Sequence, residues 1–390
     1  MADSVWLLAV LIPLAFATGW FLSSRRSPRH HKNSKAALSR NYFRGLNYLL
    51  NEEPDKAIEV FLELAEINQQ TAETHLALGR LFRRRGEVDK AIRFHRHIMT
   101  HEQLSDQHRT QALVELGEDY MSAGLLDRAE KLFTELADQG RYSESAIRSL
   151  LSIYQQEKDW AGAITQARAL KKVCGVDTDA MIAQLYCELA DEALERKALE
   201  EVDQHLYSAR NYLDPCVRAD MIEGHAAYAQ QDCNKATQAW RRACEHDPEL
   251  AVLVIEPLYQ CESKLGREAE FAEWLQGIAV QTEVAGPMLT IAHVKAARDP
   301  AAAINYLLHE LQRTPSVRGL HYVLELMHKH QQGLEDVDPL IIRELMQKLL
   351  EGQPRFRCRH CGFSGQSWHW HCPSCRNWET TRPIRGVLGE

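Results

Sequence analysis

At 390 residues, 45% of them hydrophobic and 26% charged, the chain has the composition of a folded protein, long enough for several domains or one repeat array. Its net charge of −8 at pH 7 excludes the chain-wide basic field that nucleic acid demands, so no nucleic-acid partner is expected. Ten cysteines, six of them scattered and four in two tight pairs, exclude a small disulfide-stapled scaffold and indicate a reducing compartment.

The first element is residues 5–22, "VWLLAVLIPLAFATGWFL", which carry no charge and as a helix rise about 27 Å, enough to cross a bilayer once. A cleaved signal peptide is the competing reading, and Ala15-Phe16-Ala17 has the small-x-small form of a cleavage site. The charge order argues against it. Asp3 precedes the apolar run, while Arg25, Arg26, Arg29, Lys32 and Lys35 follow it, so the bulk of the chain is predicted on the cytoplasmic side. Residues 1–22 therefore read as a single-pass membrane anchor and 23–37 as a basic linker.

From residue 38 the sequence repeats itself. "PDKAIEVFLEL" (54–64), "VDKAIRFHRHI" (88–98), "LDRAEKLFTEL" (126–136), "WAGAITQARAL" (160–170), "LEEVDQHLYSA" (199–209) and "CNKATQAWRRA" (233–243) align on Ala57, Ala91, Ala129, Ala163, Val202 and Ala236, at intervals of 34, 38, 34, 39 and 34 residues. Twelve residues upstream of these stand Gly45, Gly79, Gly117, Leu151, Ala190 and Gly224. The pattern resembles the tetratricopeptide repeat, which implies pairs of antiparallel helices meeting at small residues and stacked into a superhelical solenoid. Beyond residue 250 the signal decays. Residues 258–279, 291–315 and 317–350 read as further pairs, the last with Pro339 opening a helix, which makes about eight or nine pairs over 38–352. The expected fold class is all-α, with the solenoid between the anchor and a small C-terminal ribbon.

First helices of such an array line a groove that receives a peptide or protein. Arg80 and Arg83 are candidates to offer charge there to an acidic partner, and His225 and Tyr228 are candidates of the same kind; against all four stands the plainer reading of a solvated polar face. His95, His97 and His101 lack a cysteine or paired acid at ligand spacing and are read as structural or surface residues. No Ser-His-Asp set, paired-carboxylate motif, phosphate-binding glycine loop or HExxH stands out, so no enzyme is expected.

The last element, 353–390, holds Cys358-x2-Cys361 and Cys372-x2-Cys375, two knuckles that can wrap opposite sides of one tetrahedral ion. Gly362 frees the first turn and Pro373 stiffens the second. The ion replaces a core that so few residues cannot build. Four thiolates suit zinc or a single iron equally, and site closure favours zinc; an iron site leaves an electron carrier as a rival reading. His360, His369 and His371 are alternative ligands in principle. Trp368, Trp370 and Trp378 exceed what so small a ribbon can bury, and are expected to pack on the last helices or on a partner.

With "YFRGLNYLLNEEPDKAIEVFLEL", "LALGRLFRRRGEVDKAIR", "LGEDYMSAGLLDRAEKLF" and the ending "CRHCGFSGQSWHWHCPSCRNWETTRPIRG", the chain resembles the lipopolysaccharide assembly protein B family of Gram-negative bacteria over essentially its whole length. The resemblance implies an inner-membrane protein with a periplasmic N-terminus, a cytoplasmic repeat domain and a rubredoxin-like metal domain ligated by Cys358, Cys361, Cys372 and Cys375. It also implies control of lipopolysaccharide synthesis through proteolysis of the deacetylase that commits the cell to lipid A, carried out by a membrane AAA metalloprotease. An inner-membrane lipopolysaccharide-sensing protein is a further implied partner. A membrane-tethered scaffold for envelope-biosynthesis enzymes is the rival reading, and a homo-oligomer stays open.

Overall fold

The computed structural model describes residues 43–45, 47, 48, 51, 53–62, 72–100, 104–138, 143–282, 284–297, 299–330, 339–387 and 389. The anchor expected at 1–22 and the linker at 23–37 lie outside the described residues; among those described, no helix is long and apolar enough to cross a membrane. Two compact units divide the chain, Met1–Ile153 and Tyr154–Glu390.

In the first unit the helices are α1 (Pro54–Leu62), α2 (Ala72–Arg84), α3 (Val88–Met99), α4 (Asp106–Ser122) and α5 (Leu126–Asp138), and the boundary falls within α6 (Ser143–Glu157). α5 shows why these segments are helical: Ala129, Phe133 and Leu136, spaced four and three apart, make one buried stripe, with polar residues around the rest. Packing then explains the repeating glycine. A Cβ on Gly117 would stand 2.5 Å from Phe133 Cζ, and one on Gly45 2.6 Å from Phe61 Cζ, so the second helix closes onto bare backbone. Sixteen residues separate glycine from ring in both cases, and the same relation joins Gly79 to His95. A fully buried Phe contributes about 1.5–3 kcal/mol, and Phe61, Phe82, Phe94 and Phe133 are all fully buried.

The second unit continues with α7 (Trp160–Cys174), α8 (Asp179–Glu195), α9 (Leu199–Tyr212), α10 (Val217–Ala229), α11 (Cys233–His246), α12 (Ala251–Lys264), α13 (Glu268–Thr282), α14 (Ala285–Ala296), α15 (Pro300–Arg313), α16 (Val317–Lys329) and α17 (Pro339–Leu350). Several starts are capped by an acid or serine at the preceding residue: Asp159 accepts from Gly162 N, Asp232 from Lys235 N, Asp299 from Ala302 N and Ser316 from Gly319 N. Gly224 lies against Trp240 as Gly117 does against Phe133. Five of the six scattered cysteines are buried, and Cys174 is half-buried. Burial pushes the Cys244 thiol up to about 12, which keeps it a neutral small hydrophobe.

After α17 the chain forms a three-stranded antiparallel sheet of order β2-β1-β3, with β1 Phe356–Cys358, β2 Ser364–Gly365 and β3 Thr381–Pro383. Phe356 faces Gly365 on one side and Pro383 on the other, and Cys358 faces Thr381.

Candidate metal centre

Each knuckle is a turn closed by backbone. Gly362 N donates to Cys358 O at 3.0 Å, and Arg376 N donates to Cys372 O at 2.9 Å. The residue after the second cysteine of each pair takes a left-handed conformation, φ +80° at Gly362 and +56° at Arg376; glycine adopts it freely and arginine only under constraint. These turns bring the Sγ atoms of Cys358, Cys361, Cys372 and Cys375 within 4.8 Å of one another, the only such cluster of potential ligands among the described residues. Cys358 to Cys375 and Cys361 to Cys372 are both 3.7 Å. A tetrahedron with metal–sulfur bonds of about 2.3 Å has edges of about 3.8 Å, whereas a disulfide needs about 2.05 Å, so the spacing fits an ion and not a bridge.

The electrostatics point the same way. Burial alone would raise the Cys358 thiol, but the Thr380 hydroxyl, 3.2 Å away, and the amides of Cys361 and His360 hold it at about 6. Burial, reinforced by the other three thiols, pushes Cys375 up to about 11. All four can ionise together only with a cation among them. When bound, zinc or iron would be held by these four sulfurs as a closed cross-link. The alternative histidine ligands are occupied elsewhere: His371 stacks on Trp378 at 4.3 Å with Nε2 2.9 Å from Arg376 O, and His369 Nε2 lies 3.2 Å from Ser367 Oγ. His360 is exposed and outside the cluster.

The three tryptophans show where the ribbon sits. Of the two seats expected, the last helices or a partner, the described residues show neither; the tryptophans pack far upstream in the second unit. Trp370 and Trp378 flank the guanidinium of Arg218 on α10, with ring centroids 5.5 and 5.8 Å from Cζ. Arg218 is only 2% exposed and donates to Glu188 at 2.9 Å, Asp191 at 2.8 Å and Gln184 at 3.3 Å. Gln184 in turn donates to Glu379, 195 residues along the chain, at 2.8 Å. A second seam forms at Glu249, which pairs with Arg359 at 3.0 Å, Arg382 at 3.2 Å and Arg385. Trp368 and Trp370 lie against the core built by α10 to α14. The tail reaches α16, where Val317 N donates to Val387 O at 2.8 Å. The physical reason is charge: the ribbon's arginines find their buried acid at Glu249, and its indoles find their cation at Arg218.

The four groove candidates fall two in each unit. Arg83, in the first unit, is bound within the chain, donating to Glu115 and Asp119 at 2.7 Å each, and Arg80 pairs with Glu115 at 3.2 Å. In the second unit His225 lies edge-on to Trp240, and Tyr228 donates to Gln260 at 2.7 Å. His95, read as structural or surface, is fully buried, its Nδ1 2.5 Å from the equally buried Asp119. Sequence reasoning missed Arg218 and Glu249; neither recurs with the repeat, and their partners lie far away in sequence.

A family profile described as a rubredoxin metal binding domain matches residues 356–383, and a tetratricopeptide repeat profile matches 74–106. Lipopolysaccharide assembly protein B of Escherichia coli (strain K12) is 36% identical over 385 residues, covering 98% of this chain and 99% of that one. The protein of the same name from Haemophilus influenzae is 29% identical over 390 residues, covering 97% and 98%. The crystal structure of a tetratricopeptide repeat protein from Parabacteroides merdae is matched over 71% of this chain and 99% of that one, at 13% identity and a TM-score of 0.34.

Proposed function

The chain belongs to the lipopolysaccharide assembly protein B family, and from that premise we propose that it is a non-enzymatic adaptor, anchored in the inner membrane by residues 1–22, that regulates lipopolysaccharide biosynthesis. It brings the deacetylase that commits the cell to lipid A to a membrane AAA metalloprotease, and it answers to an inner-membrane partner that senses lipopolysaccharide. The N-terminus is periplasmic and the rest of the chain cytoplasmic. Confinement to the membrane raises its effective concentration near a membrane protease.

The observation that carries this reading is the closed four-thiolate ribbon seated on stacked helical hairpins through Arg218 and Glu249. Four sulfurs fill a tetrahedral ion and leave no open coordination position, so the metal builds a surface and performs no Lewis-acid step. Helical hairpins likewise present surface for a protein partner. Depletion of the chain from cells, with the deacetylase followed after synthesis is blocked, tests the reading. If the chain is an adaptor, its depletion lengthens the deacetylase half-life; an unchanged half-life points to a scaffold that gathers envelope enzymes without delivering any of them for destruction.

A further inference from the structure

Cys187 on α8 and Cys216, the residue before α10, meet inside the second unit with their sulfurs 3.9 Å apart. Both belong to the apolar core that Ala183, Val202, Leu206 and Ala219 help to build. Cys216 directly follows the exposed Asp214 and Pro215, so the pair lies one residue below a surface turn. Neither sulfur belongs to the ribbon's ligand set.

The two thiols are not alike. The Cys187 thiol donates to Cys216 and, against the effect of burial, holds it below the ordinary thiol value, with the Ala219 amide adding to this. The same hydrogen bond, then burial, push Cys187 well up. One sulfur is disposed to be the thiolate and the other to stay protonated beside it, as in a reactive dithiol. Cys261 differs: burial, then its contact with Cys233, push that thiol up to about 12.

We propose that Cys187 and Cys216 form an oxidation site, closed to a disulfide by a peroxide and reopened by thiols, and that closure unsettles the seat of the ribbon. The Cys216 thiolate attacks one peroxide oxygen. An S–O bond forms, the O–O bond breaks, and the departing hydroxide takes up the proton that Cys216 released and leaves as water. The Cys187 sulfur then attacks the Cys216 sulfur; the S–S bond forms, the S–O bond breaks, and the hydroxyl leaves with the Cys187 proton as a second water. Two electrons pass from the sulfurs to the peroxide.

The ribbon feels this because its clamp stands on the same two segments. Arg218, flanked by Trp370 and Trp378, is two residues beyond Cys216, and its acceptors Gln184, Glu188 and Asp191 bracket Cys187 along α8. A disulfide needs about 2.05 Å between sulfurs, so these segments draw together by up to about 1.9 Å. A close-packed interior passes such a shift to its neighbours.

The test treats the full chain, with its metal bound and in detergent micelles, with hydrogen peroxide in equimolar steps, then blocks the remaining thiols and digests without reductant. The expected results are a linked peptide pair holding Cys187 and Cys216, the loss of both thiols, and a shifted tryptophan emission that dithiothreitol restores, all with metal content unchanged. C216A and C187A each give no linked pair and keep their emission, and C187A carries a sulfenic acid at Cys216 that dimedone traps after denaturation. Peptide mapping of the parent chain decides the site even where a variant folds poorly. Oxidation of Cys358, Cys361, Cys372 or Cys375 with metal loss while Cys187 and Cys216 stay reduced overturns the proposal. So does a chain in which neither sulfur reacts, which marks the pair as packing alone. A linked pair with the emission of the reduced chain overturns the coupling to the ribbon. No client or protease takes part, so each of these results leaves the adaptor reading as it stands.

Discussion

His95 occupies the position that Phe61, Phe133 and Trp240 hold in other repeats, against a glycine sixteen residues before it. An alignment of repeats would suggest replacing it with phenylalanine. The structure argues the reverse, because Asp119, fully buried, has His95 and Arg83 as its partners. His95→Phe fills the same space but leaves one carboxylate oxygen without its donor. We expect a loss of about 1–3 kcal/mol, read as a lowered thermal unfolding midpoint of the full chain in micelles; a raised midpoint would contradict this role. Arg218 is the corresponding case in the second unit. Arg218→Leu strands Glu188 and Asp191 and removes the cation between two indoles, at an expected cost of about 3–5 kcal/mol. Tryptophan emission should shift to the red as Trp370 and Trp378 lose that contact, and an unshifted spectrum would show that the ribbon is held by other groups.

At the scale of the element, the helices were legible in the sequence because one position recurs every 34 to 39 residues in the first six repeats, alanine in five of them, and in four of the six a glycine packs against a ring sixteen residues on. It weakened after residue 250 because the contact itself changes there; Gly319, for example, faces Leu311 and Met288 instead of a ring. The turns inside the hairpins follow the same period. Gly86 and Gly124 take positive φ there, yet Lys158, Lys197 and Gln231 adopt the same conformation at the matching turns, with φ between 59° and 62°. A side chain in that region costs on the order of 1 kcal/mol. Lys197→Gly and Gln231→Gly should therefore each raise stability, by somewhat less than that once the freer unfolded chain is counted. Paired unfolding curves of variant and parent check this, and a lowered midpoint would mean that these side chains make contacts worth more than the strain.

For the whole molecule, the metal site was legible from four cysteines because thiolate spacing is a local property of two turns. The seat of the ribbon was not. Gln184 and Glu379 are 195 residues apart, and nothing in either neighbourhood announces the other. A surplus of tryptophans showed that the ribbon must rest on something, but only the buried Arg218 and Glu249 say where. Replacing Cys372 and Cys375 with serine should release the ion, loosen this seat and lengthen the deacetylase half-life in cells; an unchanged half-life would exclude the ribbon from adaptor function. Metal analysis of aerobically purified protein separates the two candidate ions, a colourless zinc protein removing the electron-carrier reading. The most direct test of the adaptor itself is reconstitution of the purified chain, the membrane AAA metalloprotease and the deacetylase in proteoliposomes, with deacetylase loss followed over time. Adding the chain should accelerate that loss, and the same rate of loss with and without it would contradict the account.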